Sequence, residues 1–249
     1  MRGTFFRGPK SVILKAPMTP GYENLIDTLI RDGYLKTQEY IEAFKVIDRA
    51  DFVLEEDKES AYVNAPLSIG FNQTISQPLT VAFMIELLGP RPREKILEIG
   101  AGSGWQTAIL AEIISEQGAD ARSDENEDKA SSSSTIIRGP LVVAIERIEE
   151  LKQMAERNVE KYGYMSKGIV RIVKADGSKG YRKAAPYDRI IAGAASAGAI
   201  PEAWRKQLKI GGRIVSPVGQ SIVVIDKLSK TEYAQKEYFG FSFVPLIKE

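Results

Sequence analysis

The sequence predicts an α/β fold built on an open, mainly parallel sheet with helices on both faces. Three observations predict it. From Lys95 onward, short apolar runs alternate with stretches of helical apolar spacing. The first run, KILEI over 95–99, breaks into glycines at every second residue (Gly100, Gly102, Gly104) before the helical WQTAILAEII of 105–114. The second and third runs end on carboxylates, Glu146 and Asp176, at the strand ends where open α/β sheets bind ligands.

Residues 1–20 are basic and punctuated by Gly3, Gly8, Pro9, Pro17 and Pro20, which reads as an extended arm. Helices follow around 22–31 and 37–46, with Leu25, Ile26, Leu29 and Ile30 on one face of the first. Residues 61–78 read as irregular, and a helix over 79–88 leads to the first strand. Strands over 95–99, 141–146, 169–175 and 187–195 are spaced by helices at 105–115 and 148–162, and a further helix covers 201–209. Gly211 and Gly212 open a strand ending near Val218, 221–228 is its neighbour, and EYFGFSFVPL (237–246) has strand-like aromatic alternation. One segment does not fit: 116–138 carries six acidic residues and four consecutive serines between a helix and its next strand. So polar a composition cannot bury enough apolar area to offset chain entropy, and it reads as a solvated surface insertion.

Composition restricts the chemistry. The chain has 249 residues, 43% of them hydrophobic, and a net charge of +1 from 34 basic and 33 acidic side chains. That supports a sizeable core and makes no electrostatic case for nucleic acid or an anionic membrane. With no cysteine and no histidine, there is no disulfide, thiolate nucleophile or cysteine metal site, and the commonest general base is missing. No metal is expected. Nor is a membrane span or a signal peptide, so a cytoplasmic protein is the expectation.

The glycine turn is a backbone cradle, because absent side chains let N–H groups approach a ligand. Its spacing departs from the dinucleotide fingerprint G-x-G-x-x-G: the third glycine comes one residue early and Trp105 stands in its place. Glu146 can accept from both hydroxyls of a ribose, or it can support the dipole of the helix that follows. Without the polar insertion, its distance along the chain from Glu98 approaches the spacing expected of a ribose ligand. Asp176 can accept from an adenine amino group and Gly177 admits a ring against backbone, or the pair is an ordinary D-G turn. Glycine turn and carboxylates together suit adenosine with a charged amino-acid tail, which describes S-adenosyl-L-methionine.

The runs YVNAPLSIGFNQTISQP (62–78), KILEIGAGSGW, AIERIEEL, KADGSKGY, PYDRIIAGAAS, LKIGGRIVSPVGQ and FVPL resemble the protein-L-isoaspartate O-methyltransferase family over roughly residues 22–249. The resemblance implies a seven-stranded methyltransferase sheet with a helical cap and substrate-binding segment over 21–90 and a cofactor-binding domain over 91–249. It implies Ser76 as the catalytic residue of the T-I-S segment Thr74-Ile75-Ser76. Cofactor contacts are implied for Thr74, Ile75, Glu98, the loop Gly100-Ala101-Gly102-Ser103-Gly104, Glu146, Arg147, Asp176, Gly177 and Gln220. The implied partners are isoaspartyl peptides and proteins, not nucleic acid or membrane, with the chain a monomer. The chain departs from the family pattern at Leu79, where histidine is common, and at Gly193, where threonine is common.

The implied reaction moves a methyl group to the α-carboxylate of an isoaspartyl residue, and the ester then closes to a succinimide, which makes the role protein repair. A main-chain-like carboxyl has a pKa near ~3.5, so no base has to remove a proton. Ser76 could hold that carboxylate by a hydrogen bond; its alternative role is to cap the helix beginning near Pro78. The residues also leave open a different carboxylate substrate, or a protein that binds the cofactor without turnover.

Overall fold

The structure, a computed structural model, describes residues 18–115 and 142–247. The polar insertion and most of the N-terminal arm lie outside the described residues. Two helices open the chain, α1 (Pro20–Arg31) and α2 (Gln38–Val46). Short 3-10 turns at Arg49–Phe52 and Glu55–Ser60 carry it to a small hairpin, β1 (Leu67–Gly70) and β2 (Gln73–Ile75), and then α3 (Pro78–Leu88). The α/β part is β3 (Ile96–Ile99), α4 (Trp105–Ile114), β4 (Val142–Glu146), α5 (Glu149–Glu160), β5 (Val170–Lys174), β6 (Tyr187–Ala192), α6 (Glu202–Gln207), β7 (Leu208–Val218), β8 (Ser221–Lys227) and β9 (Tyr233–Phe239). No helix among the described residues is long and apolar enough to cross a membrane.

The sheet has seven strands in the order β5-β4-β3-β6-β7-β8-β9. Strands β3 to β7 are parallel, and β8 runs antiparallel to both of its neighbours. Both faces of the central strands are apolar, as a doubly covered parallel sheet requires. Ile96, Val142, Ala144, Val170, Ile172 and Ile191 face the core shared with α1 to α5. Leu97, Ile99, Val143, Ile145, Ile190 and Ala192 face the other layer, around Trp204. That second layer is thin: α6 and two 3-10 turns, Gly177–Lys179 and Arg182–Ala184.

Three expectations are corrected. Residues 61–78 are not wholly irregular, since β1 and β2 form an antiparallel hairpin. Phe71 and Asn72 both take positive φ (54° and 55°) in its two-residue turn, as a twist-matched hairpin turn demands. The helix of 201–209 stops at Gln207, and β7 starts before the paired glycines. Gly212 sits inside that strand because a Cβ there would come within 2.8 Å of the Asp188 carbonyl. The last strand is 233–239, and beyond it Phe241 stacks on Phe83 (5.5 Å between ring centroids).

The N-terminal helices are held to the sheet layer by polar locks. Glu86 on α3 accepts from Lys36 N (2.6 Å), Thr37 N (2.8 Å) and Thr37 Oγ1 (2.8 Å), satisfying donors at the start of α2. The buried Tyr22 hydroxyl donates between the carbonyls of Phe44 (2.7 Å) and Ile47 (2.6 Å) at the end of α2. Glu86→Ala is expected to destabilise the fold by about 1–3 kcal/mol, the range for charge-assisted hydrogen bonds. Urea unfolding checks this; a loss under ~0.5 kcal/mol would show that α2 is held by apolar packing alone.

Candidate active site

The order of strands reverses at β3, whose neighbours are β4 on one side and β6 on the other. Connections leave that point in opposite directions and open a crevice beyond the carboxyl ends. The glycine loop lies there. Gly100 N and Ala101 N donate to the Ile145 carbonyl (2.8 and 3.0 Å), and Gly102 N donates to Glu146 Oε2 (3.0 Å). The other oxygen of Glu146 accepts from Arg147 N (2.9 Å) and Ile148 N (3.0 Å). Gly104 is required twice over. Its φ is +93°, and a Cβ would meet Val159 Cγ2 at 2.9 Å and the Ala155 carbonyl at 3.1 Å.

Two adjoining cavities occupy the crevice. The first, about 590 Å³, is lined by Thr74, Ile75 and Ser76 from the hairpin side, by Glu98 and the loop residues Gly100 to Ser103, and by Glu146. The second, about 400 Å³, is lined by Gly100, Glu146, Arg147, Ala175 and Gly177. Gln73, Gly100, Glu146 and Ala194 border both. A Cβ on Gly100 would project into open space, so the loop's own geometry leaves room for a ligand.

Not every expected residue reaches a cavity wall. Gly104 packs under the loop against α5, and Gln220 lies exposed in the turn between β7 and β8, outside both cavities. Asp176 lies between two residues of the second cavity's wall. Its Oδ1 accepts from Ser178 N (2.9 Å) and Ser178 Oγ (2.7 Å), and Lys179 Nζ lies 3.0 Å from Oδ2. Burial pushes this carboxyl up, but the Ser178 bonds and the Lys179 ammonium outweigh it and hold it below its ordinary value. Gly177 is constrained by packing as well, because a Cβ would fall 2.5 Å from Ile99 Cγ2.

Ser76 does not cap α3. The N-cap is Gln77, and Asn64 Oδ1 accepts from Leu79 N (3.0 Å) in the first turn. Ser76 lines the first cavity, and its hydroxyl has no hydrogen-bond partner among the described residues. At the two departures from the family pattern, Leu79 supplies that first-turn N–H. Gly193 N donates to the Ile99 carbonyl (2.9 Å), and a Cβ at Gly193 would stand 3.3 Å from the Gly100 carbonyl.

Sequence reasoning missed several parts of the wall. Gln73 borders both cavities, Val244 borders the first, and Leu246 the second. The C-terminal segment is pinned there by hydrogen bonds from Ala195 N to the Val244 carbonyl and from Leu246 N to the Ala195 carbonyl, each 2.8 Å. A signal was available in FVPL, whose run of apolar residues after the sheet has no strand to pair with. Among the described residues, no group of three or more acidic side chains is placed to hold a metal ion.

Comparison with known proteins places this geometry. The family model described as protein-L-isoaspartate(D-aspartate) O-methyltransferase (PCMT) matches residues 21–249. The chain belongs to this family. A protein-L-isoaspartate O-methyltransferase of Methanopyrus kandleri is 39% identical over 231 residues, covering 91% of each chain. One from Ignicoccus hospitalis is 41% identical, covering 90% of this chain and 96% of its own. A crystal structure described as a PCMT from Plasmodium falciparum, in complex with S-adenosyl-L-homocysteine, has the same fold. Its TM-score is 0.73 at 19% identity, covering 92% of this chain and 99% of that one.

Glu98 has the most perturbed carboxyl of the site. It is fully buried, with Oε1 accepting from Gln106 Nε2 (3.0 Å) and Oε2 from Thr107 Oγ1 (2.5 Å). Burial raises its pKa from 4.5 to about 7, against the lowering effect of those two bonds, and the Glu146 charge adds to the rise. Between 4.5 and about 7 the folded chain therefore keeps a proton that the unfolded chain has lost. Stability falls as pH rises through that window, by on the order of 3 kcal/mol. Glu98→Gln removes the component. The urea midpoint of the natural chain should drop relative to the variant between pH 5 and pH 8, and parallel curves would refute the assignment.

Proposed function

We propose that the chain transfers a methyl group from S-adenosyl-L-methionine to the α-carboxylate of L-isoaspartyl residues in damaged proteins and peptides, initiating their repair. The observation that carries this is the meeting of the T-I-S segment and the glycine loop across one cavity, with the Ser76 hydroxyl unengaged among the described residues. Family membership over residues 21–249 supports it.

The adjoining cavities suit a ligand with two chemically different halves. Arg147, Asp176 and Gly177 would hold the adenosine end, Glu146 the ribose, and Gly100 to Ser103 with Thr74 and Ile75 the amino-acid end. Glu98 contributes from behind the loop, where its bonds to Gln106 and Thr107 set the start of α4. Gln220 has no part in this assignment. When bound, S-adenosylmethionine supplies a methyl group made electrophilic by its sulfonium, and S-adenosylhomocysteine is the product.

The chain's own contribution is orientation. The substrate carboxylate arrives ionised, so the site needs no histidine to deprotonate it. Ser76 Oγ donates a hydrogen bond to one carboxylate oxygen and thereby aims the other at the methyl carbon. Val244 and Val81, with the ring of Trp105, line the same cavity with apolar surface and exclude water from the encounter.

Two measurements test the proposal. Paired peptides differing only in aspartyl or isoaspartyl linkage, incubated with protein and cofactor, should gain a methyl mass only in the isoaspartyl form; equal labelling, or none, sinks it. Ser76→Ala should lower kcat/KM for the isoaspartyl peptide by at least about tenfold, as expected when an orienting bond is lost. Its affinity for S-adenosylhomocysteine by calorimetry should stay within about twofold.

A further inference from the structure

Arg49 is a fully buried cation that the assigned chemistry does not use. It stands at the start of the 3-10 turn after α2, and its guanidinium reaches main-chain carbonyls on two segments. Nη1 donates to Ala61 O (2.6 Å) and Val63 O (3.3 Å), and Nη2 to Ala65 O (2.9 Å) and Ser76 O (3.2 Å). Its carbon Cζ lies 5.3 Å from the ring of Trp105, the first residue of α4 after the glycine loop. No carboxylate forms an ion pair with it among the described residues, and Nε has no partner.

A buried charge without a counter-ion is costly, and most buried arginines are paired. An ammonium carries three donors on a single nitrogen, whereas the fork makes its four contacts from two nitrogens, so a lysine could not replace this side chain contact for contact. Four carbonyl dipoles converging on the fork offset part of the cost. Two of its neighbours belong to the catalytic cavity. The Ser76 carbonyl is on the residue whose hydroxyl faces the substrate, and Trp105 is part of the opposite wall. The loop carrying Ala61, Val63 and Ala65 is the cap segment behind the hairpin. One side chain thus ties the cap, the T-I-S segment and the first turn of α4 together.

We propose that Arg49 is a positioning residue for methyl transfer, holding the main chain of Ser76 so that its hydroxyl meets the substrate carboxylate. This rests on the role given above to Ser76. The guanidinium does not touch the substrate; it acts through the Ser76 carbonyl. Its effect therefore requires the hydroxyl to be present.

The test is a double-mutant cycle in the full chain, with Arg49→Lys and Arg49→Met each made alone and with Ser76→Ala. S-adenosylhomocysteine calorimetry on each variant reports whether the cofactor crevice is intact. Arg49→Lys should lower kcat for the isoaspartyl peptide by tenfold or more while leaving S-adenosylhomocysteine affinity within twofold. In the Ser76→Ala background the same substitution should cost less than a further twofold, because there is no hydroxyl left to aim. Additive losses, with Ser76→Ala itself impaired, would overturn the role of Arg49 alone. A Ser76→Ala chain at the natural rate would defeat the role of Ser76 and this one with it. Loss of S-adenosylhomocysteine binding in both Arg49 variants would also overturn the proposal, since Arg49 would then be a general scaffold residue.

Discussion

The carboxylate of Glu146 accepts three main-chain N–H groups, one from the glycine loop and two from the chain leaving its own strand. Those donors would otherwise point into the crevice unpaired. By binding donors from the loop after β3 and from the chain leaving β4, one side chain ties the ends of these two paired strands together. The loop can approach so closely only because its residues tolerate positive φ (Gly102 lies at +55°). Glu98 behind the loop adds a second anchor, with both oxygens directed at the start of α4.

The opposite wall is built by different means. The hairpin carrying Thr74 and Ser76 has only two strands, and a two-stranded hairpin is marginal by itself in water. Its stability is borrowed from three sources. Ile69 and Ile75 are buried in the core shared with the helices. Asn64 ties the preceding loop to α3, accepting from Leu79 N at its side-chain oxygen and from Gln77 Nε2 at its carbonyl. Arg49 gathers the carbonyls of that loop and of Ser76. A substrate-facing segment held by polar bonds to its neighbours can be short, and can carry an exposed Phe71 and Val63 at its margin.

How far the sequence revealed this follows from where the information resides. Strand β3 and its loop were legible because an apolar run bounded by glycines has few structural meanings. Glu146 and Asp176 were legible because a carboxylate at the end of a buried strand is unusual. The hairpin was hidden, since LSIG and QTI are too short for their alternation to mark strands and a phenylalanine at positive φ is a choice no propensity favours. The last strand was displaced because YAQKEYF has no apolar face, being exposed along most of its length, while Phe241, which suggested a strand, stacks on Phe83 beyond it. Arg49 carried no signal at all. Arginine is ordinarily exposed, and the carbonyls that bury this one come together only through the fold.

A site without histidine follows from the substrate's charge. Where a nucleophile must lose a proton, the chain has to supply a base tuned near neutral pH. A carboxylate already ionised makes no such demand, and no titratable group at the crevice has to serve as that base. Glu146 binds backbone, Asp176 binds Ser178 and Lys179, and Glu98 is buried against α4. In the proposed mechanism the group that meets the substrate is the neutral Ser76 hydroxyl, whose value lies in direction. In that mechanism the hydroxyl can reach the substrate only from the place its main chain gives it, so its aim depends on whatever holds the main chain of Ser76. On that proposal, a cation with no counter-ion among the described residues matters to a reaction it does not touch.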